Sequence, residues 1–302
     1  MCGIVGLFLK DKSLEPQLGA LLSQMLVIMT DRGPDSAGIA IYGAPQSGKS
    51  KITVQSAASE TDFASLQADL AKGLDSEVDV KIKNSHAVIT LDATKVAEAR
   101  ALLSTLRPDI RVMSSGDTIE IYKETGLPKD VVSRFAVNAM AGTHGIGHTR
   151  MATESAVTTL GAHPFSTGAD QCLVHNGSLS NHNNLRRELK REGMSFETEN
   201  DSEVAAAYLT AEMAHGQNLG AALDNAINDL DGFFTFVVGT KSGFGVLRDP
   251  IACKPAVMAE TDQYVAFGSE YRALVNLPGI DTARIWEPEP ATVYFWEHEH
   301  AA

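Results

Sequence analysis

Apolar runs of strand length recur along this chain in two blocks, with a stretch of different character between them. Residues 4–9 and 38–42 form the first block. Residues 145–149, 171–175, 233–238, 243–247, 256–259, 264–268 and 291–296 form the second. Apolar runs this short, bounded by turn residues such as Asp31-Arg32-Gly33-Pro34-Asp35, fit buried strands. Helical spacing interrupts them in three places. Leu14, Leu18, Leu21, Leu22, Met25 and Met29 share one core-facing stripe. A second pattern begins after Asp201 and carries Val204, Ala207, Tyr208 and Ala211. A third carries Leu219, Ala222, Leu223, Ala226, Ile227 and Leu230, with Gly232 just past its end. Strands on both sides of paired helices predict a layered α/β architecture.

The stretch at about 55–140 reads as a small α/β unit of its own. Phe63, Leu66, Leu70 and Leu74 mark one helix, and Val96, Ala99, Leu102, Leu103 and Leu106 another. Residues 87–91 and 110–113 read as strands, and Ile119 and Ile121 alternate in a further one. No catalytic cluster stands out there, and its His86 reads as a surface or core histidine. The expectation is an inserted subdomain used for structure or docking. A chain of 302 residues suits two domains, or one large domain with an insertion.

Charge and composition exclude several function classes. The net charge of −13 argues against nucleic acid and anionic membrane surfaces as partners. Three cysteines (Cys2, Cys172 and Cys253), odd in number and sparse, argue against a disulfide framework and point to a reducing compartment. No apolar stretch approaches the roughly 18 residues of a membrane span, and the N-terminus lacks signal-peptide features. The expected location is therefore cytoplasmic. The nine histidines and three cysteines show no metal-ligand spacing, and residues 43–49 lack P-loop spacing. No metal or cofactor is expected on this chain.

Cys2 is the first residue with a chemical reading. Removal of Met1 would leave it a free α-amine, whose ordinary pKa is about 7.7–8. A partly neutral amine of that kind can serve as the base for its own thiol. Taken alone, Cys2 reads first as an unremarkable buried thiol. Its context is more specific. Cys2-Gly3-Ile4-Val5-Gly6 is followed by Arg32-Gly33-Pro34-Asp35-Ser36-Ala37-Gly38, and then by Gly147-His148-Thr149-Arg150-Met151-Ala152-Thr153. Next come His175-Asn176-Gly177 with Asn181 and Leu185-Arg186, then Asn200-Asp201-Ser202-Glu203. Asp231-Gly232, Arg248-Asp249-Pro250 and Gly268-Ser269-Glu270 complete the series. In type and order these segments resemble the class II glutamine amidotransferases, a family of N-terminal nucleophile hydrolases. The resemblance covers residues 1–45 and 143–270.

The resemblance implies an α+β fold, the four-layer αββα sandwich, with one amidotransferase domain over 2–302 and the inserted unit at about 55–140. It implies Cys2 as nucleophile, with the Asn176 side-chain amide and the Gly177 N–H as oxyanion donors. Amide hydrolysis passes through tetrahedral oxyanions, which preorganised donors stabilise. Glycine permits a tight, positive-φ turn there, although an isolated Asn-Gly would simply read as a β-turn. The resemblance further assigns Arg150 to the α-carboxylate of glutamine, a task suited to a planar guanidinium, and Asp201 to its α-ammonium. Asp201 also reads as a helix N-cap. Met151, in place of the aromatic residue of some relatives, and Thr153 would shape the pocket. Arg32 would lie near the nucleophile, either favouring its thiolate or bracing a turn. His163-Pro164-Phe165 resembles the family's proline loop, and His163 reads as structural. His182, His298 and His300 read as solvated, as does the basic cluster Arg186, Arg187, Lys190 and Arg191.

Only about thirty residues follow Glu270, which leaves no room for an ammonia-consuming domain. The expectation is a hetero-oligomer in which a separate synthase subunit receives the ammonia and carries any flavin or iron–sulfur cluster. The chain looks similar to stand-alone glutaminase subunits of the glutamate synthase type, of which N-methylglutamate synthase has one. Two other readings stay open here. One is an N-terminal cysteine amidase acting on a different amide, against which Arg150 and Asp201 weigh. The other is a non-catalytic regulatory subunit, against which the intact residue set weighs.

Overall fold

The computed structural model describes residues 2–152 and 156–298. Its largest sheet has seven strands, each hydrogen-bonded to the next in the order β15 (Arg284–Trp286), β13 (Val257–Glu260), β14 (Tyr264–Gly268), β1 (Gly3–Leu9), β8 (His144–Arg150), β2 (Ser36–Tyr42) and β7 (Ile119–Thr125). A five-stranded sheet runs β16 (Val293–Glu297), β12 (Gly243–Arg248), β11 (Gly232–Gly239), β10 (Gln171–Leu179) and β9 (Phe165–Gly168). The two sheets pack face to face. Ile4, Phe8, Ala40 and Ile146 of the first meet Cys172, Val174, Val237 and Val246 of the second in one core.

The other face of each sheet is covered by helices. Side chains alternate along a strand, so Val5, Leu7 and Leu9 of β1 point away from Ile4 and Phe8. They pack under Leu18, Leu22, Met25 and Leu26 of α1 (Leu18–Ile28). On the second sheet, Leu173, Leu179, Phe236 and Val238 are covered by α6 (His182–Arg191), α7 (Asp201–Ala214) and α8 (Leu219–Asp229). Burial on both faces is why β1 and β2 read as unbroken apolar or small-residue runs. Each fully buried leucine in these layers contributes about 1.5–3 kcal/mol. The result is the αββα sandwich expected from the sequence.

The remaining strands form a separate four-stranded sheet, β4 (Asp79–Lys83), β5 (His86–Asp92), β3 (Lys49–Gln55) and β6 (Arg111–Gly116). It carries the short α2 (Ser59–Asp62), α3 (Leu66–Leu74) and α4 (Val96–Leu106), and it has its own core of Ile52, Val54, Leu70, Ile89 and Leu103. This unit spans 49–116 rather than about 55–140. β7 pairs with β2 in the main sheet, from Ser36↔Thr125 to Tyr42↔Ile119. Val131 and Val132 of α5 (Pro128–Arg134) join the core under α1. The alternation of Ile119 and Ile121 marks a half-buried strand, but that pattern is the same whichever sheet the strand joins. His86 is fully buried where the small sheet meets the main body, with its ring edge-on to Phe135 at 4.7 Å. Asp170 ties the units together, its carboxylate accepting from Asp117 N, Thr118 N, Thr118 Oγ1 and Ile119 N.

Three further expectations change. Asn176 and Gly177 lie within β10, which continues to Leu179, and not in a turn. His298 is not solvated but half-buried, stacked on the Phe8 ring at 4.2 Å, while His300 lies outside the described residues. Arg186 is likewise buried, and its guanidinium donates to the carbonyls of Thr198 and Asn200. A polar helix face exposed to solvent on three sides still needs one residue to turn inward where a loop crosses it.

Candidate active site

Cys2 immediately precedes β1, and the pairing of Gly3 with Thr149 brings it beside the end of β8. The Met151 N–H points at Cys2 Sγ across 3.4 Å. The Cys2 carbonyl oxygen accepts from Arg32 Nε at 2.9 Å and from Asn176 Nδ2 at 3.1 Å. Arg32, Met151 and Asn176, from three distant parts of the chain, thus converge on Cys2. Ser269 braces them from a fourth, because its hydroxyl accepts from Ile4 N at 2.9 Å and from Asn176 Nδ2 at 3.3 Å.

Arg32 is nearly buried and forms an ion pair with Glu270 at 2.6 Å. Glu270 also pairs with Arg272 Nε at 2.6 Å. The Arg32 hydrogen bond, reinforced by the charge of Arg272, holds the Glu270 carboxyl below its ordinary range. The guanidinium therefore sits against the Cys2 backbone with its charge balanced by a carboxylate.

A cavity of about 830 Å³ opens beside Cys2. Arg32, Arg150, Met151, Asn176, Gly177 and Asp201 all line it. Thr153 lies outside the described residues. Arg150, the last residue of β8, is nearly buried, and its Nη1 reaches the Ala156 carbonyl at 3.4 Å. Asp201 is the first residue of α7, not its cap. Asn200 is the cap, accepting from Ser202 N through its side chain. Asp201 is left to accept from Leu179 N at 2.9 Å and to face His175 Nδ1 at 3.8 Å. A β-region residue one position earlier has the geometry to cap, and both Asn and Asp are good caps, so the sequence could not separate them.

Gly177 has φ of 152°. A Cβ at this position would lie 1.9 Å from the Phe233 carbonyl oxygen and 2.7 Å from His175 Nε2. Both the backbone conformation and the lack of space require glycine here.

Three buried histidines near this cavity were not singled out from the sequence as part of a site. His148 Nε2 lies 3.0 Å from Asn176 Oδ1, and the ring stacks on His163 with centroids 4.1 Å apart. His175 Nδ1 meets Ser202 Oγ at 2.9 Å. Burial pushes His148 down to about 3, which keeps its ring neutral at physiological pH, and holds His163 and His175 below their ordinary range, partly opposed at His175 by Asp201. Parity carried a signal for His148: Ile146, His148 and Arg150 alternate on one face of β8, and Ile146 belongs to the inter-sheet core. His182, at the rim, holds the Leu179 carbonyl through Nδ1 at 2.6 Å. Among the described residues, no group of His, Cys, Asp or Glu is arranged to hold a metal ion, and no helix is long and apolar enough to cross a membrane.

The fold is that of the N-terminal nucleophile amidotransferases. It superposes on glutamine phosphoribosylpyrophosphate amidotransferase from B. subtilis with a TM-score of 0.62 at 18% identity, over 99% of this chain and 48% of that one. This chain thus spans about half of that longer enzyme. Residues 148–276, which hold Arg150, Asn176, Gly177 and Asp201, match the model of the glutamine amidotransferase domain. The whole chain is 74% identical over 303 residues to the glutamine amidotransferase-like protein GlxB of Rhizobium meliloti (strain 1021), covering 100% of both. It is 33% identical over 307 residues to a protein of the same kind from Methanothermobacter thermautotrophicus, covering 98% of this chain and 100% of that one. The chain belongs to the class II glutamine amidotransferases, a family of amidohydrolase enzymes.

Proposed function

We propose that this chain is a glutaminase subunit whose nucleophile is Cys2 with its α-amine freed by loss of Met1. The α-amine takes the thiol proton as Sγ attacks the side-chain amide carbon of glutamine. Asn176 and Gly177 stabilise the oxyanion, and Arg150 and Asp201 hold the α-carboxylate and α-ammonium. The proton passes to the departing nitrogen, ammonia leaves, and water releases glutamate from the thioester. Arg32, paired with Glu270, holds the Cys2 carbonyl and so positions the nucleophile. Thr153 and Met151 complete the pocket wall.

The observation that carries this reading is the convergence of Cys2, Asn176, Gly177, Arg150 and Asp201 on one cavity. The ammonia goes to a separate synthase subunit of the glutamate synthase or N-methylglutamate synthase type, in a cytoplasmic hetero-oligomer. The unit at 49–116 is read as an insertion within one amidotransferase domain over 2–302. Glutamine turnover, with hydroxylamine present to trap the thioester as a γ-glutamyl hydroxamate, tests the chemistry. Cys2→Ala is expected to lower kcat/KM by on the order of 1000-fold or more and to abolish the hydroxamate. Mass spectrometry showing Met1 retained in the active protein would refute the nucleophile. A native pull-down that recovers no second chain would refute the hetero-oligomer.

A further inference from the structure

We propose that His148 fixes the orientation of the Asn176 side-chain amide and is thereby a positioning residue for the oxyanion donor. This inference rests on the role given to Asn176 above.

The argument is one of donors and acceptors. The Cys2 carbonyl oxygen can only accept, so the Asn176 group 3.1 Å from it must be the NH2. Asn176 Oδ1 must then face the other way, where His148 Nε2 lies at 3.0 Å. An amide oxygen can only accept, so His148 must carry its proton on Nε2. Nδ1 is then the bare nitrogen, and it makes no hydrogen bond among the described residues. The ring cannot turn over cheaply, because it is buried and stacked on His163 at 4.1 Å. Burial also keeps it neutral, since its pKa is pushed down to about 3, so one tautomer persists across the physiological range.

The backbone places the pair. His148 sits opposite Ile4 in the β1–β8 register, two residues along from Cys2. Asn176 lies on β10, in the facing sheet. The contact therefore crosses the two layers at the nucleophile. Without the Nε2–H, the Asn176 carboxamide loses the partner on its oxygen side and keeps only the Cys2 carbonyl to distinguish its oxygen from its nitrogen. The rotated form would turn an acceptor toward developing negative charge. His148 touches neither the Cys2 sulfur nor a substrate anchor in any described contact, so its loss should act on the transition state and spare ground-state binding.

Steady-state glutaminase kinetics on His148→Ala and His148→Gln test this, together with Asn176→Ala. His148→Ala is expected to lose about 10- to 100-fold in kcat with KM changed less than about threefold. Gln offers an N–H near the Nε2 position and should restore kcat to within about fivefold of the parent. The double variant His148→Ala/Asn176→Ala should be no slower than Asn176→Ala alone. Iodoacetamide should alkylate Cys2 at the parental rate in each. Full kcat in His148→Ala, a loss confined to KM, or additive effects in the double variant would each overturn the proposal. Should the substituted proteins fail to fold, 15N NMR of the parent's imidazole rings decides. An Nδ1–H tautomer or an imidazolium at His148 near pH 7 would sink it. If Asn176→Ala keeps full activity, the oxyanion assignment itself is wrong and the inference falls with it. If Asn176→Ala is impaired and His148→Ala is not, only the inference fails.

Discussion

Arg32 illustrates how much one side chain can hold at this site. Its Nε supports the Cys2 carbonyl while its Nη1 meets Glu270, so the carboxylate fixes the guanidinium and the guanidinium fixes the backbone at Cys2. Replacing Glu270 with Gln would leave a nearly buried cation without its counter-charge. The expected result is a fall of about 10-fold in kcat for glutamine, with KM nearly unchanged. The cost in stability should be only about 1 kcal/mol, because the Glu270 side chain is 33% exposed and solvent screens the pair. Steady-state kinetics and thermal melts of Glu270→Gln check both. Undiminished kcat would show that the Arg32–Glu270 pair does not position Cys2. Glu270 was legible in the sequence only as a motif landmark, since its partner is 238 positions away.

At the scale of elements, Lys123 links the main sheet to the segment that bears His163. It lies on β7, nearly fully buried, and its ammonium donates to the carbonyls of Leu160, Ala162 and Pro164 at 3.2, 2.7 and 3.2 Å. Burial, partly offset by Glu203 and Glu197, lowers its pKa to about 8. A buried cation without a direct ion pair is costly to desolvate, so Lys123→Met should leave stability within about 1 kcal/mol of the parent. The segment should loosen nonetheless. The expected effect is a rise of about 3- to 10-fold in the KM for glutamine, read by initial rates, with melting temperature as the control. An unchanged KM would place the segment's order elsewhere. Periodicity located the strand that carries Lys123 but assigned it to the inserted unit. Only the pairing with β2 places it in the main sheet, beside the segment that bears His163.

Buried histidines shape the behaviour of the molecule as a whole. Burial lowers His86 to about 4 and His144 and His148 to about 3, while unfolded histidine titrates near about 6.5. Below about 6.5 the unfolded chain therefore binds protons that the folded chain refuses. Each such histidine contributes stability that is complete above about 6.5 and is lost as pH falls toward the folded value. The slope is up to about 1.4 kcal/mol per pH unit for each. Urea denaturation between pH 7 and 4.5 should show this decline, and His86→Leu should make it shallower. A stability flat over that range would contradict the neutral, buried state of these rings.

The sequence alone located most strands and helices of the two large layers, because side-chain alternation and helical periodicity are local properties, but not β3, β4, β9, β15 or α5. It also singled out the residues proposed to carry the chemistry, through short ordered segments whose residues are close neighbours in the chain. Pairing decided the rest. The strand at Ile119–Thr125 reads the same in either sheet, and Asn200 and Asp201 are both good caps. His148 becomes a partner of Asn176, 28 positions further along the chain, only when two sheets face each other. Those outcomes depend on hydrogen bonds and packing between distant segments, and no local pattern of residues encodes which distant surface will meet which.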